Sequence, residues 1–466
     1  MRIFSAYFTP LLIGSTCFVA ACSGDEPPSP GASIDSGKDV TLPPPNPEGG
    51  DDDAGGPSDV APDATLDDVR DVSRESNVAD ASTNDTSRTD VVAEGGNDIH
   101  NPPDANIVDA GVDLPRSDDA NRDGGGSTPG LWLKGDLHVH CKHSTDAMDT
   151  TVAEAFAKAE SLGFDYFVLT DHDNHVEGKI STWSDPDYRS DKMVLLYGAE
   201  WTTGIGHANI FGTKPYDYAP IWAARDGDSA VSIATAHAQG LHFSVNHPAA
   251  KDLWEGGFDR DFDSMEVWTA PFVIPNSNTT AIAKWDEILL GGRRLGVRGG
   301  SDSHHQHDFE STLFNIGNPT TWIRAQEKTG EALLAALKAG HVSVSYAATA
   351  ERLDFTSDVD GDGVFESVIG DNVQPVAGKP LSFKIEIAGF RATSTYNLTV
   401  FKNGVSFKNW PMLTTASVAF EDTPTAGERA YYRVELRGPT SDAPILGALG
   451  FGDFIALTNP IYVSYP

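Results

Sequence analysis

Residues 134–141 read Lys134-Gly135-Asp136-Leu137-His138-Val139-His140-Cys141, and this stretch decides how the rest of the chain is read. Side chains two residues apart on a strand face the same side. His138 and His140 can therefore approach one cation, while Cys141 points the opposite way and reads as buried packing. A reactive thiol would need an activating environment. Two such histidines alone carry little weight, so the question is whether other strand ends bring the same chemistry.

They do. Leu169-Thr170-Asp171-His172-Asp173 ends an apolar run in charged groups, and Leu195-Leu196-Tyr197-Gly198-Ala199-Glu200 delivers a carboxylate. His207 opens His207–Gly212, Asn246-His247-Pro248 ends another run, and Gly299-Gly300-Ser301-Asp302-Ser303-His304 follows Val297. Of the 14 histidines, 13 lie between residues 138 and 341. Strands are predicted over Gly135–Cys141, Tyr166–Thr170, Met193–Ala199, His242–Val245, Met265–Trp268 and Leu295–Arg298. Helical spacing of apolar residues predicts helices over Thr151–Ser161, Ile282–Leu290 and Gly330–Ala339. Strands alternating with helices imply a parallel sheet, open or closed into a barrel, and in such folds functional side chains collect at the C-terminal strand ends.

These motifs, in this order, resemble the PHP family, the polymerase and histidinol phosphatase domain. The resemblance covers residues 134–304 through Asp136–His140, Leu169–His172, Gly198–Glu200, His207, Asn246–Pro248 and Ser301–His304. It implies a distorted seven-stranded (β/α) barrel holding up to three metal ions. One ion would take His138, His140, Glu200 and Asp302. A second would share Glu200 and add His207 and His304. A third would take His172 and His247 with an acidic residue or histidine soon after the first motif. At that last position the sequence departs from the family pattern, and Asp146 is preferred over its neighbours His143 and Asp149. Glu200, Asp302 and His304 are the positions expected to carry the catalysis.

Imidazole and carboxylate donors suit zinc, manganese or iron without choosing among them. Paired cations lower the pKa of a bound water and clamp the oxygens of a phosphoryl group. The leading expectation is a metal-dependent phosphoesterase acting on a small-molecule ester. The same site could hydrolyse a carboxyl or carbamate ester, as the exported branch that resembles carbaryl hydrolase would imply. A surface binding module with structural metals is the reading from another class. His305 and His307 read as surface groups, and His175, His237, His242 and His341 as structural ones. Asp171 and Asp173 flank His172 and could orient it. Arg298 fits either a substrate anion or an internal salt bridge.

The flanks have a different character. Arg2, the apolar run Ile3–Ala21 and the ending Val19-Ala20-Ala21-Cys22 read as an export signal over residues 1–21. The small-small-Cys ending resembles a bacterial lipobox. It implies a lipidated Cys22, membrane attachment and a place at the outer membrane or cell surface of a Gram-negative bacterium. Residues 22–130 are rich in Asp, Gly, Pro and Ser and contribute much of the net charge of −35. With so little to bury, this segment reads as a disordered acidic linker. Nothing resembles the basic footprint of a nucleic-acid scaffold. Cys17, Cys22 and Cys141 are the three cysteines, so no disulfide framework is expected.

The metallohydrolase domain is assigned to residues 131–350. From Glu351 to Pro466 strand-like runs take over: Leu381–Ile387, Tyr396–Phe401, Arg429–Leu436 and Phe454–Val463. Asn403-Gly404 marks a hairpin. These predict a small β-sandwich domain. Its opening turn, Asp358-Val359-Asp360-Gly361-Asp362-Gly363, resembles the start of a calcium loop, with Asp358, Asp360 and Asp362 as ligands.

Overall fold

The computed structural model describes residues 130–250, 253–269, 277–305, 315–425, 427–438 and 454–466. The export signal, Cys22, the acidic linker up to residue 129 and His307 lie outside the described residues. None of the described helices is long and apolar enough to cross a membrane.

The chain is a mixed α/β protein. Its first half runs β1 (Leu131–Asp136), α1 (Val152–Ser161), β2 (Tyr166–Phe167), β3 (Val194–Leu195), β4 (Tyr197–Thr203), β5 (Gly206–Gly212), α2 (Ala219–Ala224), α3 (Ser229–His237), β6 (His242–Val245), β7 (Ser264–Thr269), α4 (Ser277–Leu290) and β8 (Gly296–Gly300). Strands β4-β5-β6-β7-β8 form one sheet, and β1, β2 and β3 lie in another. Two isolated parallel bridges, His172↔Glu200 and Val139↔Ser303, join the second sheet's strand extensions to the first.

Not all pairing is parallel. β4 and β5 form an antiparallel hairpin with Thr202 opposite His207, and β5 also runs antiparallel to β6. The hairpin places the start of β5 beside the C-terminal ends of β4 and β6. His207 thus reaches the same end of the sheet as Glu200 and His247, although it opens a strand.

The run expected over Met193–Ala199 is two strands in different sheets. Leu196 is the break, its N–H donating to Phe167 O at 3.0 Å while Tyr188 Oη donates to its carbonyl. The strand expected over Gly135–Cys141 ends at Asp136. Beyond it the chain stays extended enough to keep alternation: Val139 and Cys141 enter an apolar cluster with Phe156 and Phe167, away from the two histidines.

Helix α1 begins at a capping box. Thr151 accepts from the Glu154 N–H, and the Glu154 carboxylate accepts from the Thr151 N–H at 3.0 Å. Such a cap contributes about 1 kcal/mol. Its buried face, Val152, Ala155, Phe156 and Ala159, is the face the spacing predicts. Helix α5 (Gly330–Ala339) ends on Gly340 with φ 77°, the left-handed C-terminal position that glycine fills without strain.

Strands β9 (Thr320–Ala325) and β10 (Val342–Ser345) carry the β1 sheet into the C-terminal region, where Val344 of β10 pairs with Leu457. That region adds β11 (Arg352–Asp358), β12 (Ser367–Val368), β13 (Asn372–Val373), β14 (Leu381–Ala388), β15 (Tyr396–Lys402), β16 (Val405–Leu413), β17 (Ser417–Asp422), β18 (Ala430–Arg437), β19 (Phe454–Thr458) and β20 (Ile461–Val463). Leu353, Phe355, Phe383, Leu398, Tyr432 and Val434 share one apolar core between the β11-β14 and β15-β18 strands. β15 and β16 meet at Asn403-Gly404, both at positive φ, as a tight hairpin turn requires.

The C-terminal strands also brace the first half. Asn459 Oδ1 accepts from the Val297 N–H at 2.7 Å, and its Nδ2 donates to Val297 O at 2.8 Å, clamping β8. Buried Arg433 pairs with Asp286 of α4 at 2.7 Å. In the acidic turn, Asp358 accepts from the N–H groups of Gly361 and Gly363, and Asp362 accepts from that of Val364.

Candidate metal centre

Nine side chains singled out in the sequence meet at one end of the β4–β8 sheet. Glu200 is their centre and is fully buried. Its Oε1 lies 3.3 Å from His138 Nε2, 3.3 Å from His207 Nδ1 and 3.6 Å from His247 Nε2. Its Oε2 lies 2.6 Å from His172 Nδ1 and 3.6 Å from His140 Nε2. Asp302 Oδ1 stands 3.2 Å from both His138 Nε2 and His140 Nε2. Asp146 Oδ2 stands 3.3 Å from His172 Nε2 and 3.4 Å from His304 Nε2.

His138, His140 and Glu200 form the floor, while Asp146, Asp302, His207 and His304 are part-exposed and leave the cluster open on one side.

Backbone geometry aims these groups. Asp136 Oδ1 accepts from the N–H groups of His138 and Ser301 at 3.2 and 3.1 Å, tying the first motif to the last. The Asp302 N–H donates to His138 O at 2.8 Å. Asp302 and His247 hold positive φ, 53° and 22°. Such conformations cost free energy in non-glycine residues and cluster at functional sites. Asn246 Nδ2 donates to Glu200 Oε1 at 2.7 Å and fixes the carboxylate's rotation.

Gly300 permits the close approach of β8. A Cβ there would stand 2.2 Å from Glu266 Oε1 and 2.5 Å from His138 Cβ. Gly300→Ala is expected to displace His138, lowering stability by about 1–3 kcal/mol. Metal content should fall with it, and thermal unfolding with metal analysis would show both.

The electrostatics suit cations. Burial raises the Glu200 carboxyl, but the surrounding His172, His138 and His207 imidazoles outweigh it and hold the group well below its usual range. His140 is pushed down to about 3, first by burial and then by His304 and His172. It is thus neutral, the ligating form of histidine. Buried His138 Nε2, His140 Nδ1, His140 Nε2, His207 Nδ1, His247 Nδ1 and Asp146 Oδ1 lack hydrogen-bond partners. A buried polar atom without a partner costs roughly 1–3 kcal/mol, so such a set is an expense that bound cations would offset. Donor atoms fall within 4.8 Å of one another in the groups His138-His140-Glu200, His138-His247-Asp302, His140-His172-His304, Asp146-His172-His175 and His172-Glu200-His207. The residues present fit divalent ions.

Several expectations are sharpened or corrected. Of the three rivals after the first motif, Asp146 is the one in the cluster. His143 turns to Asp185 at 3.1 Å, and Asp149 pairs with His305 at 3.2 Å. Around the expected ligand sets, His304 and His247 make their nearest contacts with other members of the cluster. His304 packs on His140 and faces Asp146, whereas the His247 ring lies 5.1 Å from that of His207.

His175, read as structural, stands 3.5 Å from Asp146 Oδ1. It lacks a strand-end motif because a short 3-10 turn, Asn174–Val176, carries it. Asp171 and Asp173 do not touch the His172 ring. Asp171 accepts from the Cys141 N–H at 2.7 Å, and Asp173 from the Thr202 N–H at 2.9 Å. The ring is held instead by Thr202 Oγ1 at 2.7 Å. Arg298 is wholly buried on Glu266 at 2.7 Å, an internal salt bridge. Cys141 is buried, with its thiol on Asp171 and pushed up by burial and that carboxylate. His237, His242 and His341 pair with Asp263, Ser264 and Asp371.

Glu266 was not singled out by the sequence reading. Its signal was a lone carboxylate inside the apolar run Met265-Glu266-Val267-Trp268.

No protein-family model matches the chain, and no curated protein matches it. Among solved structures, it is similar to a two-domain protein from Bacteroides vulgatus described as containing a predicted PHP-like metal-dependent phosphoesterase. The identity is 15% and the TM-score 0.37, covering 68% of this chain and 94% of that one. It is also similar to a putative metal-dependent phosphoesterase from Bifidobacterium adolescentis, at 16% identity and TM-score 0.23, covering 36% and 87% of the two chains. At these scores, what the site does is read from its own side chains.

Proposed function

We propose that this chain is a metal-dependent phosphoesterase of PHP type that hydrolyses its substrate with a metal-activated water at a multinuclear centre. The observation that supports it most is Glu200, a single buried carboxylate with five imidazoles within 3.6 Å. Its two oxygens face different histidines, the arrangement of a bridging ligand. His138, His140, Glu200 and Asp302 would hold one ion. Glu200, His207 and His247 would hold a second, and Asp146, His172 and His304 a third. Cations held by these residues would supply a bound water of lowered pKa and positive charge for the oxygens of a phosphoryl group.

The protein's own contribution is placement. Asn246 orients Glu200, Thr202 orients His172, and the exposed edges of Asp302 and His304 leave a face for substrate. Cys141 takes no part. Strands β1–β8 are read as a distorted barrel closed at the two bridges, with the C-terminal strands as a sandwich beside it. Export and anchoring through Cys22 complete the proposal, supported by the sequence Val19-Ala20-Ala21-Cys22. A calcium ion in the turn of Asp358, Asp360 and Asp362 belongs to it as well.

The test is a side-by-side rate comparison by the metal-loaded full chain on phosphomonoesters, phosphodiesters, carboxyl esters and carbamates. Faster phosphate-ester hydrolysis is expected. A preference for carboxyl or carbamate esters would transfer the site to that chemistry, and full loading without turnover on any would leave a binding module. The third position has its own check. Asp146→Ala should lose one ion from metal analysis, while His143→Ala should keep the full content.

A further inference from the structure

We infer that Glu266 is a positioning residue for two metal ligands at once, His138 through its ring and His247 through its backbone. The inference rests on the metallohydrolase reading above and extends it to a residue that binds no ion itself. Both Glu266 oxygens lie 3.3 Å from His138 Nδ1. The Nδ1–H of His138 is thereby engaged, which leaves Nε2 as the nitrogen that faces Glu200 and Asp302. Glu266 Oε2 also accepts from the His247 N–H at 3.0 Å. That bond holds the backbone of a residue with φ 22°.

The carboxylate is itself fixed on every side. Arg298 Nη1 donates to Oε1 at 2.7 Å, and Thr269 Oγ1 donates to Oε2 at 2.9 Å. Arg298 is held in turn by Ser244 Oγ at 2.7 Å and by Asn246 Oδ1. Asn246 is the residue that orients Glu200, so one buried network reaches three candidate ligands. The slot is shape-specific: at Gly300 even a methyl group would collide with Glu266 Oε1.

A carboxylate behind a ligating histidine fixes its tautomer and raises its basicity, and its loss typically costs about 10–100-fold in metal affinity. A carboxylate that only balanced Arg298 would, on exchange for an isosteric amide, lower folding stability through the unpaired buried guanidinium. It would do so without changing the His138 tautomer, and so without shifting the spectrum of a metal bound there.

The experiment uses the full chain, stripped and titrated with zinc against a chromophoric chelator, then loaded with cobalt(II) for its visible spectrum. Glu266→Gln is expected to keep the far-ultraviolet circular dichroism of the parent. It should lose about 10–100-fold in affinity for at least one ion and shift the cobalt bands. Thr269→Val, which removes only the hydroxyl donor to Oε2, should shift both readouts less and in the same direction. Parent-like affinity and spectrum in Glu266→Gln, or in Thr269→Val should the first variant not fold, would overturn the inference while leaving the hydrolase reading standing. A parent chain that takes up neither zinc nor cobalt would overturn both, and that result is seen before any variant is made.

Discussion

Replacing Glu200 with glutamine is expected to abolish turnover, by at least about a thousand-fold, and to release more than one ion. Several kilocalories per mole of transition-state stabilisation ride on closely held cations, and each 1.36 kcal/mol is tenfold in rate. The neutral amide is a poor substitute for geometric reasons too. Oε1 already accepts from Asn246, so the retained carbonyl would pair there. The new NH2 would then face His172 and His140, where Oε2 now stands. Metal analysis and kcat on the same preparation check this. A variant with parent-like metal content and kcat within tenfold of the parent would show that Glu200 bridges nothing.

Stripping the metals is expected to destabilise the folded chain strongly. Without cations, six buried ligand atoms of His138, His140, His207, His247 and Asp146 lack hydrogen-bond partners and have at most longer contacts between imidazole and carboxylate. An ion present at a thousand times its Kd contributes about 4.1 kcal/mol. For a domain of this size each kcal/mol corresponds to about 2–4 °C, so loss of even one tight site lowers Tm by roughly 8–16 °C. Acid should mimic the chelator. Burial lowers the His138, His172, His247 and His304 imidazoles, but the surrounding carboxylates outweigh it and raise them above their usual range. Ligating imidazoles must be neutral, so protons compete with metal already above the ordinary value of about 6.5, and the stabilisation fades as pH falls from there. Calorimetry with and without chelator, at pH 7.5 and 5.5, reads both effects. A Tm unmoved by chelator would mean that the cluster is satisfied without ions.

Much of this site was legible because strand-end chemistry is local. Each of the motifs around His138, His172, Glu200, His247 and Asp302 pairs an apolar run with a polar end, and the fold gathers those ends. What stayed hidden depends on tertiary contact. His175 rides on a 3-10 turn without periodicity. Glu266 sits mid-strand, where only its burial and its approach to His138 give it meaning. The approach of His207 to His247 follows from the antiparallel β5–β6 pairing, next to which the Asn246 N–H donates to His207 O at 3.0 Å, and no spacing in the sequence encodes that. The break at Leu196 was equally hidden, since a continuous apolar run gives no sign that the chain changes sheets.

Whether Glu200 bridges cations is decided by a crystal structure of the metal-loaded protein with anomalous scattering measured at the metal edge. Distinct peaks are expected on either side of Glu200, one near His138, His140 and Asp302 and another near His207 and His247. A fully loaded crystal with a single peak, or with peaks that leave Glu200 uncoordinated, would contradict bridging by Glu200.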